Sequence, residues 1–164
     1  MSENIIYYLE MHSPEQLNRV EDSKGLVITE TELKNFRFNR FLYQLVGRLW
    51  QWTEKLGWSD EQWRDYVENP RMRTWVAYYR GAIAGYFELL QAGQGDVEIA
   101  YFGLVEEFIG RGFGGYLLTQ AIDNAWRCYP NTKRVWVHTC TLDHANALAN
   151  YQARGLRIYT TEKG

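Results

Sequence analysis

Apolar residues alternate from Ile5 to Met11 (Ile5, Tyr7, Leu9, Met11), the period of a half-buried strand. Ser13-Pro14-Glu15-Gln16 has capping-box spacing with Pro at the first helical position, which predicts a short helix. Gly25 to Ile28 reads as a short extended piece. The period then lengthens. From Phe36 to Trp50, Phe38, Phe41, Leu42, Leu45 and Leu49 form one helical stripe, and Arg37, Arg40, Gln44 and Arg48 form the other. Ser59-Asp60-Glu61-Gln62 caps a second helix that carries Trp63, Tyr66 and Val67 and stops before Pro70. Thr74–Tyr79 and Ala82–Leu90 flank Arg80-Gly81 as a hairpin, and Gly93, Gly95 and Asp96 turn the chain into a third strand, Val97 to Leu104. Phe113, Leu117, Leu118, Ala121, Ile122 and Ala125 make a helical stripe that ends at Pro130-Asn131. Val135–Cys140 is extended again. Asp143–Arg154 is helical with Gly155 as its cap, and Leu156–Thr160 is a last short strand.

These elements make an antiparallel meander followed by one strand–helix–strand crossover, Val97 to Cys140, which is expected to be parallel and right-handed. The fold class is therefore α/β (α+β): a mixed, mostly antiparallel central sheet of about 6–7 strands with helices on both faces. No repeat or linker divides the chain, so residues 1–164 are expected to form one domain. Composition sharpens this. The 46% apolar and 23% charged content describes a globular chain, and a net charge of −2 argues against nucleic acid as partner. The arginines and aromatics of the 36–50 helix fall on opposite faces, which also favours an ordinary amphipathic helix. No apolar run approaches the ~18 residues of a membrane span, and Met1-Ser2-Glu3-Asn4-Ile5-Ile6 lacks the features of a signal peptide, so a cytoplasmic protein without a membrane partner is expected. Cys128 and Cys140 match no zinc or redox spacing, and no metal is expected.

The chemistry is carried by Gly110-Arg111-Gly112-Phe113-Gly114-Gly115, a glycine cluster between a strand and a helix. At such a junction the first helical N–H groups are unpaired and lie at the positive end of the helix dipole, a geometry suited to a pyrophosphate. Gly110, Gly112 and Gly115 satisfy the dinucleotide-binding spacing, but a meander precedes them and fewer than fifty residues follow, so the context rejects a Rossmann domain. No Gly-Lys-Ser/Thr follows, which rejects a P-loop.

The loop resembles that of the GNAT superfamily of acyl-coenzyme A-dependent N-acyltransferases, whose pattern Arg/Gln-x-x-Gly-x-Gly/Ala falls on Ile109-Gly110-Arg111-Gly112-Phe113-Gly114. A second pattern of that family, Asn-x-x-Ala-x-x-x-Tyr-x-x-x-Gly-Phe, falls on His144 to Leu156 and includes Ala147, Tyr151 and Gly155. The likeness covers residues 72–160, with the meander, the loop and the C-terminal motif; residues 1–71 would supply an N-terminal strand and acceptor-side helices. Two positions depart from the patterns. Ile109 replaces Arg or Gln, although the loop works mainly through backbone N–H groups and Arg111 is available as a charge. His144 replaces the Asn that holds the pantetheine arm, a role open to either His144 or Asn146.

The resemblance implies acetyl-coenzyme A as co-substrate, a small-molecule or peptide amine as acceptor, and transfer by direct attack; it also allows a homodimer. It implies a sheet splayed between the strands at 97–104 and 134–140, with pantetheine in the gap. Phe102, Leu104, Ile109, Gly110, Arg111, Gly112, Phe113, Gly114, Gly115, His144 and Asn146 would then hold the coenzyme. Glu98, an acid in the otherwise apolar run Val97–Phe102, is the expected general base, with Glu88 in reserve. Tyr151 is the expected general acid. A backbone N–H at or near Leu104 would meet the oxyanion, with Gly103 marking a bulge. His138 and Cys140 on one strand face read as a packed His beside a structural Cys rather than a nucleophilic pair. Tyr43, Trp50, Trp52, Trp58 and Trp63 are split between core and acceptor pocket, where they would favour an apolar or cationic amine. The alternative is a non-catalytic acyl-coenzyme A sensor or interaction module.

Overall fold

The computed structural model describes residues 4–164. Strand β1 (Ile5–Met11) is followed by one 3-10 turn at Pro14–Gln16 and by β2 (Leu26–Glu30). Helices α1 (Phe36–Gly47) and α2 (Asp60–Glu68) precede the meander β3 (Met72–Tyr79), β4 (Ala82–Gln91) and β5 (Asp96–Leu104). Helix α3 (Gly114–Arg127), β6 (Arg134–Cys140), α4 (Ala147–Ala153) and β7 (Arg157–Lys163) complete the chain. The seven strands form one mixed sheet in the order β2-β3-β4-β5-β6-β1-β7, in which β5 and β6 are parallel and every other pairing is antiparallel. The alternating pattern of β1 marks a strand but not its place; β1 crosses the sheet to lie between β6 and β7.

Both faces of the sheet carry helices. On one, Leu117, Leu118, Ala121, Ile122 and Ala125 of α3 pack with Tyr151 of α4 against Leu9, Phe87, Leu89, Val97, Ile99 and Val137. On the other, α1 and α2 bury Tyr43, Val46, Trp63 and Val67 against Met72, Val76 and Tyr86. The apolar stripe expected on α1 is displaced: Phe41 is 48% exposed, while Phe36, Asn39, Leu42, Tyr43 and Val46 face inward. The cause is Asn39, a polar residue that the core accepts because its amide donates to Thr74 Oγ1 and to Glu88 Oε2, each at 2.8 Å.

Three local expectations change. The α1 helix gives way at Arg48–Trp50 to a 3-10 turn that ends on Gln51 in the left-handed region (φ 58°). Helix α4 begins at Ala147 rather than Asp143. Before it, the Asp143 carboxylate accepts from the Thr139 hydroxyl and the Cys140 N–H, and the Asn146 N–H donates to His144 Nδ1. Such side-chain bonds give the backbone a non-helical alternative, so His144 shares no helical face with Tyr151. The bulge in β5 lies at Ala100, where the register jumps from Glu88–Tyr101 to Leu89–Ile99, and not at Gly103. Gly103 answers a different need: a Cβ there would lie 2.5 Å from Val46 Cγ1 of α1.

Candidate active site

Parallel pairing between β5 and β6 stops after Asp96–Arg134, Val97–Val135 and Glu98–Trp136. Beyond that point residues 99–104 have no strand partner on the β6 side, and a cleft of about 350 Å³ opens between the two strands. It is lined by residues 99–104 of β5, by Val137 to Cys140 of β6, by Ile109, Gly110 and Gly112–Gly114 of the loop, and by Trp50, Trp52 and Glu54. The Ala100 bulge sets the side chains. It brings Glu98 and Tyr101 to the α1/α2 face and turns Ile99 and Phe102 toward α3 and α4.

The glycine end fits a polyanion. Gly110 and Gly112 sit at φ 81° and 85°, a region that suits glycine, and Phe113 caps α3 with helical dihedrals and no side-chain bond, so the first N–H groups of a 14-residue helix are open. Cations surround it. A side chain at Gly112 would run into the Lys24 ammonium, and a Cβ at Gly115 would lie 2.5 Å from Arg154 Nη1. The Arg111 guanidinium stacks over Tyr79, Phe108 and Phe113 at 5.0, 5.4 and 5.5 Å. Among the described residues none of these three side chains has a carboxylate partner, and Arg154 Nε is buried without an acceptor. Three cations without a carboxylate partner make this end of the helix locally positive, which suits an anion. Asn150 ties α4 to the loop by donating to the Gly114 carbonyl at 3.1 Å.

The expected coenzyme residues divide accordingly. Phe102, Leu104, Ile109, Gly110, Gly112, Phe113, Gly114, His144 and Asn146 line the cleft, whereas Arg111 and Gly115 lie outside its wall. His144 is held edge-on by Trp50, ring centroids 5.2 Å apart. Tyr151 lines the cleft beside Phe102, is 5% exposed, and has its phenol pushed far above the ordinary tyrosine range by burial. Glu98 is not part of the lining. Burial raises its carboxyl above the usual range, against the opposing charges of His138 and Lys55. Its Oε2 lies 3.8 Å from Nε2 of His138, which does line the cleft and, contrary to expectation, is 41% exposed rather than packed.

Glu88 is enclosed: 1% exposed, it accepts from Asn39 and from the Tyr66 hydroxyl at 2.7 Å, with no face left for a substrate. Burial pushes the Cys140 thiol up, which disfavours the thiolate a nucleophile requires. Of the expected acceptor aromatics, Trp50 and Trp52 line the cleft, while Tyr43 and Trp63 are core. Lys24, Asn150, Arg154, Glu54 and Lys55 were not foreseen. Lys24 lies more than eighty positions from the loop, and no local pattern could tie it there.

Among the described residues no group of three or more His, Cys, Asp or Glu side chains could hold a metal, and no helix is long and apolar enough to cross a membrane. A family model described as acetyltransferase (GNAT) family matches residues 39–156. Among solved structures, a GCN5-related N-acetyltransferase from Sphaerobacter thermophilus is 15% identical over 99% of this chain and 51% of its own, with a TM-score of 0.74. One from Kribbella flavida is 14% identical over 98% of this chain and 58% of its own, with a TM-score of 0.70. At that identity the likeness is one of fold. An IAA acetyltransferase from Bacillus cereus ATCC 14579 is 26% identical over 82% of this chain and 79% of its own, with a TM-score of 0.62. The chain spans only about half to three-fifths of several structures that it matches over nearly its full length. No curated protein matches significantly.

Proposed function

The chain belongs to the acetyltransferase (GNAT) family, and from that premise we propose that it transfers an acetyl group from acetyl-coenzyme A to a primary amine by direct attack, as a single domain over residues 1–164. The observation that carries this is the β5–β6 cleft, which is lined together by the glycine loop, with Lys24 and Arg154 beside it, by Tyr151 and by Trp50 and Trp52. Acetyl-coenzyme A bound there would supply the activated acyl group. The chain's residues do the rest. Lys24, Arg154 and the open N–H groups of α3 neutralise phosphate, with Arg111 close by. Main-chain groups of 99–104 hold the pantetheine arm and donate to the oxyanion, and His144 or Asn146 supports that arm. Glu98 takes the proton of the incoming ammonium, and the Tyr151 hydroxyl holds the proton that the leaving group needs. A phenol with a raised pKa stays protonated at neutral pH, as an acid must.

The test is release of thiol from acetyl-coenzyme A in the presence of small amines and lysine-containing peptides. Coenzyme binding without thiol release from any amine would favour the sensor reading. Because the Glu98 carboxyl is raised by burial and must be ionised to act, activity should fall on acidification at a pH above the ordinary carboxylate range. In Glu98→Gln that acid limb should vanish along with about 100-fold or more of the rate. A second reading has His138 as the proton acceptor with Glu98 behind it, favoured by the place of His138 in the cleft wall. His138→Asn separates them: it keeps the limb if Glu98 acts directly and abolishes it if His138 relays.

The cationic loop makes its own prediction. Lys24→Ala, an exposed change, should weaken coenzyme A binding about tenfold, with the deficit shrinking as salt rises. Binding of pantetheine, which lacks the phosphates, should not change. Equal losses for both ligands in calorimetry would show that Lys24 acts on loop structure instead.

A further inference from the structure

Lys55 does not itself line the cleft, but it bonds to two residues that do, Tyr101 directly and Glu54 through it. The Lys55 ammonium lies over three rings, 4.5 Å from the Trp58 centroid, 4.7 Å from Tyr101 and 4.8 Å from Tyr66. It donates to the Tyr101 hydroxyl at 2.9 Å, and that hydroxyl donates to Glu54 Oε2 at 2.8 Å. The loop is pinned: the Lys55 N–H donates to the Tyr43 hydroxyl at 3.1 Å. An aromatic box of this kind recognises an alkylammonium by the negative faces of its rings.

The box adjoins the reaction path. Tyr101 and Glu54, the two groups bonded in series to this ammonium, both line the cleft. A coenzyme with its phosphates at Gly110–Gly114 would carry its acyl end into the cleft that these two residues line.

We propose that Lys55 is an internal acceptor of this cleft, acetylated in cis on its side-chain amine. The inference rests on the acetyltransferase reading. In the step, Lys55 Nζ gives up one proton to Glu98, its lone pair forms the new C–N bond to the acyl carbon, and the nitrogen's second proton passes to the departing sulfur as the amide forms. The thioester C–S bond breaks, the thiolate is protonated, and free coenzyme A leaves. Burial, which favours the neutral amine, works in the same direction despite the carboxylates of Glu54, Glu88 and Glu98. The product is a neutral amide, so the rings of Trp58, Tyr66 and Tyr101 lose their cation.

The experiment incubates the purified chain with acetyl-coenzyme A alone and follows intact mass, peptide mapping and tryptophan emission. The expected result is one acetyl group on Lys55, gained at a first-order rate independent of protein concentration, with a change in emission from Trp58. Lys55→Arg keeps a cation in the box and should lose only that modification. Glu98→Gln should slow it at least tenfold. Modification at equal rate in Glu98→Gln or in urea-unfolded protein, a rate that scales with protein concentration, or an unmodified Lys55 in protein that acetylates an added amine would each overturn the proposal. Failure of the parent reading looks different: no coenzyme binding by calorimetry and no acetylation of any amine.

Discussion

Tyr151→Phe is expected to lower turnover about 100-fold or more while changing coenzyme affinity by less than about threefold. The phenyl ring keeps the packing of a residue that is 5% exposed and stands against Phe102, so the cleft retains its shape. What is lost is one hydroxyl. Among the described residues no protein group bonds to it, so its removal leaves no buried group without a partner. Only the step that needs a proton on the leaving group should suffer. Rapid-mix measurement of thiol release, paired with calorimetry, separates the two quantities. A loss of affinity as large as the loss of rate would mean that Tyr151 supports the coenzyme rather than the chemistry. Restored turnover with low-pKa thioester donors would confirm the acid role, since a good leaving group needs less protonation.

Glu88→Leu is expected to cost about 3 kcal/mol of stability in urea unfolding, because the Tyr66 hydroxyl is left without an acceptor and the Asn39 amide keeps only its bond to Thr74. The pH dependence is also fixed in sign. Burial raises the carboxyl of Glu88 in the folded chain above its unfolded value. Its contribution is therefore fully present below the ordinary carboxylate range and declines as the pH rises through the raised value. Glu88→Gln, which does not titrate, should gain on the wild type over that same interval. A constant difference between the two across this range would mean that Glu88 stays ionised throughout, held by the charges of Lys55 and Lys34. Both outcomes differ from the behaviour of Glu98, whose substitution should act on rate and its acid limb.

The opposite fates of these two glutamates mark the limit of reading the chain alone. Both sit in strands of the meander, and each could have been the buried acid. Cross-strand partners decide between them. Glu88 stands opposite Tyr101 beneath α1 and α2, where Asn39 and Tyr66 take both of its oxygens. Glu98 stands at the last pair before β5 and β6 part, beside His138. The same holds for cations. Arg111 falls within the loop motif but stacks on aromatic rings outside the cleft wall, while Lys24 and Arg154 reach the loop from segments far away in sequence.

By itself the sequence determined the order and kind of the elements, the antiparallel meander, the parallel crossover and the glycine loop at the start of α3. These follow from short-range physics: the period of apolar residues, capping side chains, and the backbone freedom of glycine. The resemblance of His144–Leu156 to a family motif also carried the expectation that Tyr151 faces the coenzyme, and Tyr151 does line the cleft. Only the tertiary structure decided that β1 inserts between β6 and β7, that Ala100 rather than Gly103 bulges, and that Lys55 fills an aromatic box beside the cleft. Each of these depends on which distant backbone or side chain arrives opposite a given residue. Pairing of that kind is settled by the packing of the whole sheet against its helices, and it leaves no periodic trace along the chain.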